Sequence, residues 1–450
     1  MVASDGPAVQ ILGRALPDPL MAYIRRVISP AARRAANLAV IVAALGYFVD
    51  IYDLILFAMV RTRSVADLGV AAQDLKDQGI YLFNMQMGGL LLGGIVWGVL
   101  GDKRGRLSVL FGSITIYSLA NLANGFVHGI EGYAACRLIA GIGLAGELGA
   151  GVTLVSELMG RHNRGIGTMI VAALGISGGL LAGWIGGAFG PGLPWRTAYE
   201  IGGGLGLALL LLRLGVIESG MFRATLANKQ VERGNFFKLF SRRKRLLRYL
   251  AIICVGVPTW YAIGILYTFS NDLGKALGLA EPPNPARTLF FDYGGAAIGG
   301  LLSGLLSQYL RSRRRALAIF MLALAGLVAA YFLFGGVSST VFYALAGLGG
   351  IATGYWAVFL STAAELFGTN LRATVTTTAP NFVRGSAVLL TTGFQQLTPS
   401  LGLVGAAIAV GVFAFGVAAL GLRALPETFG VDLDFQEVDE IELPRAAAAT

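Results

Sequence analysis

Twelve apolar runs divide the chain, and they constrain its fold more than any other feature. A membrane-spanning helix needs about 20 predominantly apolar residues, and each run approaches or exceeds that length. The runs cover residues 37–60, 78–101, 106–128, 130–159, 165–190, 196–217, 247–271, 287–310, 314–335, 338–363, 372–395 and 398–422. Only 13% of the residues are charged, whereas a soluble domain has about 25%. The sequence therefore predicts an all-α integral membrane protein with twelve transmembrane helices.

A single long polar interruption separates the runs into two groups of six. It covers residues 218–246 and contains the basic stretch Arg242-Arg243-Lys244-Arg245. We therefore expect two six-helix halves joined by this basic linker. The predicted segments are an N-terminal tail 1–36, a first half 37–217, the linker 218–246, a second half 247–422 and a C-terminal tail 423–450. Residues 1–36 lack a leading apolar core, so no cleavable signal peptide is expected.

Lysine and arginine are distributed unequally between the two sides of the predicted bundle. With the N-terminus in the cytoplasm, the cytoplasmic segments hold 26 of them and the opposite side holds 6. This bias satisfies the positive-inside rule. It also explains the net charge of +10, so nucleic-acid binding is not needed to account for it. We predict a multi-pass protein of the cell membrane with both termini in the cytoplasm.

The two predicted halves share an internal repeat. Residues 157–160, Glu-Leu-Met-Gly, are followed by Arg164, and residues 365–368, Glu-Leu-Phe-Gly, are followed by Arg372. At nearly the same offset, Asp102 of the first half corresponds to Gln308 of the second. Two halves related by such a repeat are typical of alternating-access transporters.

The loop between the second and third runs carries a recognisable motif. Residues 98–106 contain the pattern G-x-x-x-D-x-x-G-R, formed by Gly98, Asp102, Gly105 and Arg106. This pattern resembles the signature loop of major facilitator superfamily transporters. Three further segments resemble motifs of the sugar-porter and metabolite–proton symporter branch of that family. They are Arg137-x-x-x-Gly141-x-Gly143, Glu218-Ser219 and Pro426-Glu427-Thr428-Phe429-Gly430. The resemblance implies the major facilitator fold, with twelve helices in two pseudo-symmetric halves.

Other segments of the chain bear on the substrate. Residues 50–54, Asp-Ile-Tyr-Asp-Leu, resemble the D-G-Y-D-L element of aromatic-acid symporters. Asn381 and Arg384 resemble the N-x-x-R element of metabolite symporters. The seventh run lacks the glutamine-rich element that hexose porters use. The resemblance therefore disfavours a sugar and favours a small organic acid.

Acidic residues inside the apolar runs are candidates for proton coupling, because an ionisable residue at mid-depth costs about 2.5–3.5 kcal/mol on insertion scales. Asp50 and Asp53 share one face of the first helix. Two neighbouring carboxylates in a low dielectric do not both ionise readily, so we expect one of them to carry a proton, with Asp53 ahead of Asp50. Alternatively, Asp53 pairs with an arginine and locks the helix. Glu147 is the third candidate.

Candidate substrate-binding residues are Arg384, Asn381, Arg137, Trp260, Tyr261 and Tyr355, with Trp356 as a further aromatic. A guanidinium group suits a carboxylate ligand. Arg384 has the alternative role of an internal partner for Asp50, Asp53 or Asp292. Arg137 and Glu147 lie close to three turns apart on one predicted helix and have the alternative of forming a structural pair. The aromatic residues have the alternative of packing or anchoring at the membrane interface.

Candidate residues of a cytoplasmic gate come from the repeated motifs. They are Gly98, Asp102, Arg104, Gly105, Arg106, Glu157, Arg164, Glu365 and Arg372. Glu157 and Glu365 are expected to pair with Arg104, Arg106 or Arg313. Because Gln308 replaces the acid in the second half, the gate is expected to be stronger on the first-half side.

These features favour a secondary active transporter that takes up a small organic anion with protons by alternating access. The alternatives are a proton-independent facilitator, an exporter of drugs or metabolites, and a non-transporting sensor on the same fold. The expected partners are a small-molecule substrate, protons and the lipid bilayer. No enzyme activity, cofactor, metal site or nucleic-acid partner is expected, and the protein is expected to be a monomer.

Overall fold

The computed structural model describes residues 30–104, 106–149, 151, 164–217, 236–368 and 371–431. Residues 147–149 and 151 of the first half are helical, and seven further helices lie in its described part. They are α1 (Pro30–Asp67), α2 (Leu75–Arg104), α3 (Arg106–Asn124), α4 (Ile130–Leu144), α5 (Arg164–Ile176), α6 (Gly178–Gly186) and α7 (Trp195–Ile217). The fifth apolar run is divided into α5 and α6 by a turn at Ser177.

The second half begins after a short 3₁₀ helix at Phe236–Leu239. Helix α8 (Arg243–Tyr261) continues as a π-helical segment, Ala262–Tyr267, and α9 (Ser270–Ala276) follows. The remaining helices are α10 (Pro285–Tyr309), α11 (Arg313–Phe334), α12 (Ser339–Thr353), α13 (Trp356–Glu365) and α14 (Arg372–Ala424). Local sequence explains where α10 starts, because the Asn284 side chain accepts a hydrogen bond from Ala286 N and Pro285 occupies the first turn.

The predicted all-α membrane fold with two six-helix halves is confirmed. Each apolar run is mostly helical over the part that the structure describes, with turns inside some runs, as at residues 145–146 and 354–355. Seven helical segments of the described residues are long and apolar enough to cross a bilayer by themselves, and one of them covers both the eleventh and the twelfth run. The fourth and fifth runs each contain a break, after Leu144 and at Ser177 respectively.

The junction between the last two runs lies further along the chain than the sequence predicts. The apolar pattern indicates a break at residues 396–397, but α14 continues to Gly402, where φ is 68° and ψ is 171°. Glycine adopts a positive φ without the steric penalty that a side chain brings. The change of direction therefore falls at the residue that tolerates it.

The two halves meet along two pairs of helices. Helix α2 packs on α14, and α10 packs on α5 and α6. Glycines allow the close approach: a Cβ atom on Gly98 of α2 would lie 3.1 Å from Thr378 Cγ2 of α14. Small residues at such contacts are typical of membrane helix packing.

Side chains also bridge the halves at the end of the bundle that the charge distribution predicts to be extracellular. Arg61 at the end of α1 forms an ion pair with Asp272 on α9, with 3.5 Å between Nη2 and Oδ2. Asn284 Nδ2 donates to Gly187 O at 2.9 Å, and Arg287 Nε donates to Ala188 O at 2.6 Å. We refer to Arg61, Asp272, Asn284 and Arg287 as the outer bridge.

Candidate functional site

An aromatic cavity lies between the two halves. Its wall includes Tyr47 of α1, Trp260 of α8, Tyr293 of α10 and Trp356 of α13. In this conformation about 30 Å³ of it is accessible to the centre of a water-sized sphere, which is room for about two water molecules, so a larger ligand requires the lining side chains or the halves to move apart. Arg384 of α14 is the one charged side chain among the described residues that line it. The cavity therefore combines flat apolar surfaces with a single positive charge.

Arg384 forms an ion pair that joins the halves. Its Nη2 lies 3.2 Å from Asp50 Oδ2 of α1, and both side chains are almost completely buried. Arg384 Nε and Asp50 Oδ1 have no hydrogen-bond partner among the described residues. The sequence allowed three internal partners for Arg384, and in the structure its partner is Asp50. The pair is thus held by one contact and keeps an unused donor and an unused acceptor.

Asn381 lies one turn before Arg384 and holds it in place. Asn381 Nδ2 donates to Ala145 O at 2.7 Å and to Thr377 O at 2.8 Å. Its Oδ1 accepts from Arg384 Nη1 at 3.5 Å. Because α14 presents both residues on one face, the N-x-x-R spacing fixes the guanidinium through the amide. Asn381 is not among the cavity-lining residues.

Asp53 lies one turn beyond Asp50 but has a different environment. It is fully buried, and neither carboxylate oxygen has a hydrogen-bond partner among the described residues. The charged groups that act on it are Arg137 and Asp50. Gly202 of α7 leaves room for it, because a Cβ atom there would overlap Asp53 Oδ1. Asp53 therefore belongs to the interior of the first half rather than to the interface.

Arg137 is the cationic member of the same interior cluster. Its Nη2 donates to Asn121 Oδ1 at 2.6 Å, and its guanidinium lies 4.5 Å from the centre of the Tyr199 ring. Nε and Nη1 of Arg137 have no hydrogen-bond partner in the part of the chain that the structure describes. Arg137 does not line the aromatic cavity, so the structure separates it from Arg384 and places it near Asp53.

Glu147 pairs with a residue that sequence reasoning missed. Arg213 of α7 binds it through two contacts of 2.8 Å, and both side chains are 1% exposed. Ser113 Oγ also donates to Glu147 at 3.3 Å. The expected alternative, a pair between Arg137 and Glu147, is therefore wrong, since the helix breaks after Leu144 and Glu147 points to α7. The signal for Arg213 was its position inside the sixth apolar run.

The aromatic candidates separate into two groups. Trp260 lines the cavity, and so does Trp356, whose Nε1 donates to Tyr47 OH at 3.1 Å. Tyr261 OH donates to Ala407 O and Tyr355 OH donates to Val255 O, both at 2.8 Å. Tyr261 and Tyr355 thus connect helices and are not among the lining residues. Sequence reasoning missed most of the lining residues, among them Tyr47, Tyr293 and Thr259.

Asp292 of α10 is a further buried acid. Its side chain is 0% exposed, and neither oxygen has a partner among the described residues. It does not line the cavity. The partner of Arg384 is Asp50 and not Asp292.

The candidate gate residues are only partly described. Glu365 binds Arg313 through Oε1–Nη2 at 3.0 Å and Oε2–Nε at 3.2 Å, so Arg313 is its partner. Arg372 Nε donates to Ala364 O at 3.0 Å, Arg104 is exposed and Gly98 lies at the α2–α14 contact. Gly105 and Glu157, with the side chains of Asp102, Arg106 and Arg164, lie outside the described residues.

The segment after α14 packs on this ion pair. Thr428 Oγ1 donates to Glu365 Oε2 at 2.9 Å. Burial of Glu427 would by itself raise its pKa, but hydrogen bonds from Ser312 Oγ and from the N–H groups of Phe429, Arg313 and Thr428 outweigh burial. The pKa of Glu427 is therefore held below its ordinary value, and its ionised form fastens the segment to the start of α11.

Comparison with known proteins gives the context for this geometry. The chain is 30% identical over 387 residues to the 3-(3-hydroxy-phenyl)propionate transporter of Escherichia coli strain K12, covering 82% of this chain and 92% of that protein. It is 25% identical over 401 residues to a probable 4-methylmuconolactone transporter of Cupriavidus pinatubonensis, covering 86% and 90%.

Among solved structures, the proton:xylose symporter XylE bound to 6-bromo-6-deoxy-D-glucose has the same fold. The TM-score is 0.67 with 15% sequence identity, over 89% of this chain and 98% of that one. The Major Facilitator Superfamily profile matches residues 38–402. This multi-pass membrane protein therefore belongs to the Major Facilitator Superfamily.

Proposed function

We propose that the protein takes up a small aromatic carboxylate together with protons by alternating access. The observation that carries this proposal is the Asp50–Arg384 pair, which joins the two halves beside an aromatic cavity. The proposal includes location in the cell membrane with both termini in the cytoplasm, as the charge distribution predicts.

Anion binding is assigned to Arg384. Its pair with Asp50 rests on one contact of 3.2 Å, so a substrate carboxylate that binds the guanidinium in a bidentate manner competes with it. Trp260, Trp356 and Tyr47 supply flat surfaces for a ring. The named relative from Escherichia coli transports a phenyl carboxylate, which supports this substrate class over a sugar.

Proton coupling is assigned to Asp53. A buried, ionised carboxylate without hydrogen bonds is costly, so Asp53 as placed here is best accommodated with a proton. When it loses that proton, the free Nε and Nη1 of Arg137 provide the partner it lacks. The cluster then has two arrangements, one protonated and open and one ionised and paired. Because Asp53 and Asp50 lie one turn apart on α1, this change reaches the pair that holds the halves together.

Alternating access follows from exchange of contacts between the halves. Here the outer bridge is closed, with Arg61 on Asp272 and Arg287 on Ala188 O. Binding of the anion releases Asp50 from Arg384 and weakens the central attachment. Rocking of one six-helix half against the other then exposes the cavity to the opposite side.

Transport into proteoliposomes tests the proposal. With acid outside, radiolabelled 3-(3-hydroxyphenyl)propionate should accumulate above its external concentration, and a protonophore should abolish accumulation. If the substrate only equilibrates across the membrane and the protonophore does not change its uptake, the protein is a proton-independent facilitator. That result would contradict proton coupling. The double variant Asp50→Asn/Arg384→Gln removes both charges with little change in volume. It should fold and fail to bind the anion, whereas wild-type binding by this variant would contradict the role of Arg384.

A further inference from the structure

Asp292 of α10 has neither a hydrogen-bond partner nor a charged partner among the described residues. Its side chain is 0% exposed, and both carboxylate oxygens are unpartnered. No charged group of the described chain acts on it, whereas Asp53 has Arg137 nearby. An ionised carboxylate in this place would have nothing to offset its loss of hydration. The side chain of Asp292 is therefore accommodated here with a proton.

The position of Asp292 lies between the outer bridge and the aromatic cavity. Arg287 of the outer bridge precedes it on α10, and Ala296, one turn further along the helix, lines the cavity. On the facing helix, Tyr267 ends the π-helical segment and lies about one turn beyond Ile263, another lining residue. Tyr267 and Asp292 interact electrostatically. The two helices thus bring an acid and a phenol together at the predicted outer end of the cavity.

Helix α10 is part of the contact between the two halves. It packs on α5 and α6 of the first half, and the residue after Asp292 touches that half directly. A Cβ atom on Gly179 of α6 would lie 2.4 Å from Tyr293 Cδ1. Rocking of the halves separates these surfaces. Asp292, buried in this conformation, therefore lies where water can reach it during the transport cycle.

The repeat-related position of the first half offers a comparison. The offset of the repeated loop motif relates Gln86 of α2 to Asp292. Gln86 is also 0% exposed, and its Nε2 donates to Leu54 O at 3.5 Å. A neutral amide thus meets the packing needs of this place in the fold. An acid in the second half adds the ability to bind and release a proton.

We propose that Asp292 is a second proton-binding site, so that two protons accompany each carboxylate anion. The inference rests on the proposed function, in which Asp53 binds the first proton. Asp53 acts through Asp50 on the ion pair between the halves, so the empty carrier needs its deprotonation in order to return. Asp292 has no charged partner among the described residues, so its proton adds to the transported charge without controlling that pair.

The net charge that crosses the membrane tests this inference. A monoanion taken up with one proton carries no net charge, whereas with two protons it carries one positive charge inward. Uptake of radiolabelled 3-(3-hydroxyphenyl)propionate is measured in proteoliposomes that contain the full-length chain. The buffer contains no sodium, and potassium gradients with valinomycin set the membrane potential.

In the wild type, an inside-negative potential alone should drive accumulation. At zero potential, one pH unit should allow about 100-fold accumulation, because each proton contributes about tenfold. Asp292→Asn should lose the response to potential, and its limit at the same pH gradient should fall to about tenfold.

Two matched variants separate proton binding from packing. Asp292→Glu keeps a carboxyl group and should keep the response to potential. Thr288 lies one turn earlier on α10 and is fully buried, with its hydroxyl donating to Asn284 O at 3.1 Å. Thr288→Val is therefore the control for a packing change on this helix and should also keep the response.

The outcomes distinguish the inference from the proposed function. Wild-type accumulation that follows the pH gradient but does not depend on the potential overturns the second site and leaves coupling through Asp53 standing. This readout requires no variant to fold. An Asp292→Asn protein with the wild-type response to potential also overturns the inference. Absence of wild-type accumulation under either gradient overturns the proposed function and the inference with it.

Discussion

Two of the buried carboxylate–guanidinium pairs among the described residues are built differently. Glu147 and Arg213 lie within the first half and are joined by two contacts of 2.8 Å, with Ser113 Oγ adding a third bond to the carboxylate. Asp50 and Arg384 lie on different halves and are joined by one contact of 3.2 Å, with one carboxylate oxygen left without a partner among the described residues. The Nε group of the arginine lacks a partner in both pairs.

This difference indicates which ion pair has a structural role and which takes part in transport. A buried charge needs a partner and further hydrogen bonds to repay its desolvation. The Glu147 carboxylate has both a charged partner and a further hydrogen bond. Replacing Arg213 by another partner would therefore only destabilise the protein. The Asp50 pair leaves bonding capacity unused beside a cavity, so a ligand can enter it. We expect the first pair to fix the first half and the second to be exchanged during transport.

The largest expected effect is on stability and concerns Arg213. Arg213→Met leaves Glu147 buried without its partner, and we expect the free energy of unfolding to fall by about 3–5 kcal/mol. The double variant Glu147→Gln/Arg213→Met should recover most of this loss. Thermal unfolding in detergent measures both. Arg384→Met is the control and should lose less, because it removes one contact of 3.2 Å where Arg213→Met removes two of 2.8 Å. Equal losses at the two arginines would contradict the distinction.

The next effect concerns proton coupling. Asp53→Asn keeps the shape of the side chain and removes its proton site, so we expect it to abolish uptake driven by a proton gradient. Exchange of substrate between equal concentrations should persist, since Arg384 is intact. Transport in energised and in de-energised proteoliposomes separates these activities. Accumulation by Asp53→Asn in energised vesicles would assign Asp53 a structural role and make Asp50 the next candidate.

A smaller effect is expected at the outer bridge. Arg61→Gln removes the ion pair with Asp272 across the halves and should increase opening toward the predicted outside several-fold. Labelling of Ala296→Cys, a cavity position, with an impermeant thiol reagent reports this in a background without Cys136 and Cys254. Arg63→Gln is the control, because Arg63 Nη1 donates to Pro191 O within its own half. Equal labelling of both variants would argue against the bridge as a closure.

The smallest effect is expected at Glu427, outside the membrane-spanning segments. Because the folded protein holds its pKa below the ordinary value, its contribution is complete above that value and is lost as pH falls through the folded pKa. We expect Glu427→Gln to lower stability at neutral pH by less than about 1 kcal/mol, since the group is partly exposed. The difference from the wild type should vanish in acid. Melting temperatures from pH 7 to 3 test this, and a pH-independent difference would contradict it.

Periodic and compositional features were sufficient to predict the fold. Apolar runs of bilayer length admit few solutions, because backbone groups in lipid must be satisfied within helices. Helix breaks were harder to locate, since Gly402 and Ser177 lie within apolar sequence that continues on both sides. A conformation with positive φ at one glycine leaves no periodic signal in a chain that contains 64 glycines.

The sequence predicted which charged residues form the site, but it predicted only some of the ion pairs between them. Charges inside apolar runs marked Asp50, Asp53 and Arg384, because such residues persist only with partners or a polar cavity. The partner of each charge depends on how distant helices pack, so Arg213 was missed.

Binding of the anion to Asp50→Asn tests the central proposal most directly, namely that substrate and Asp50 compete for Arg384. The dissociation constant of 3-(3-hydroxyphenyl)propionate is measured by calorimetry for the wild type, Asp50→Asn and Arg384→Gln. Removal of the internal competitor should tighten binding by about tenfold, the equivalent of one hydrogen bond to a charged group, and Arg384→Gln should not bind. Unchanged or weaker binding by Asp50→Asn would contradict competition and leave the Asp50–Arg384 pair as a structural link between the halves.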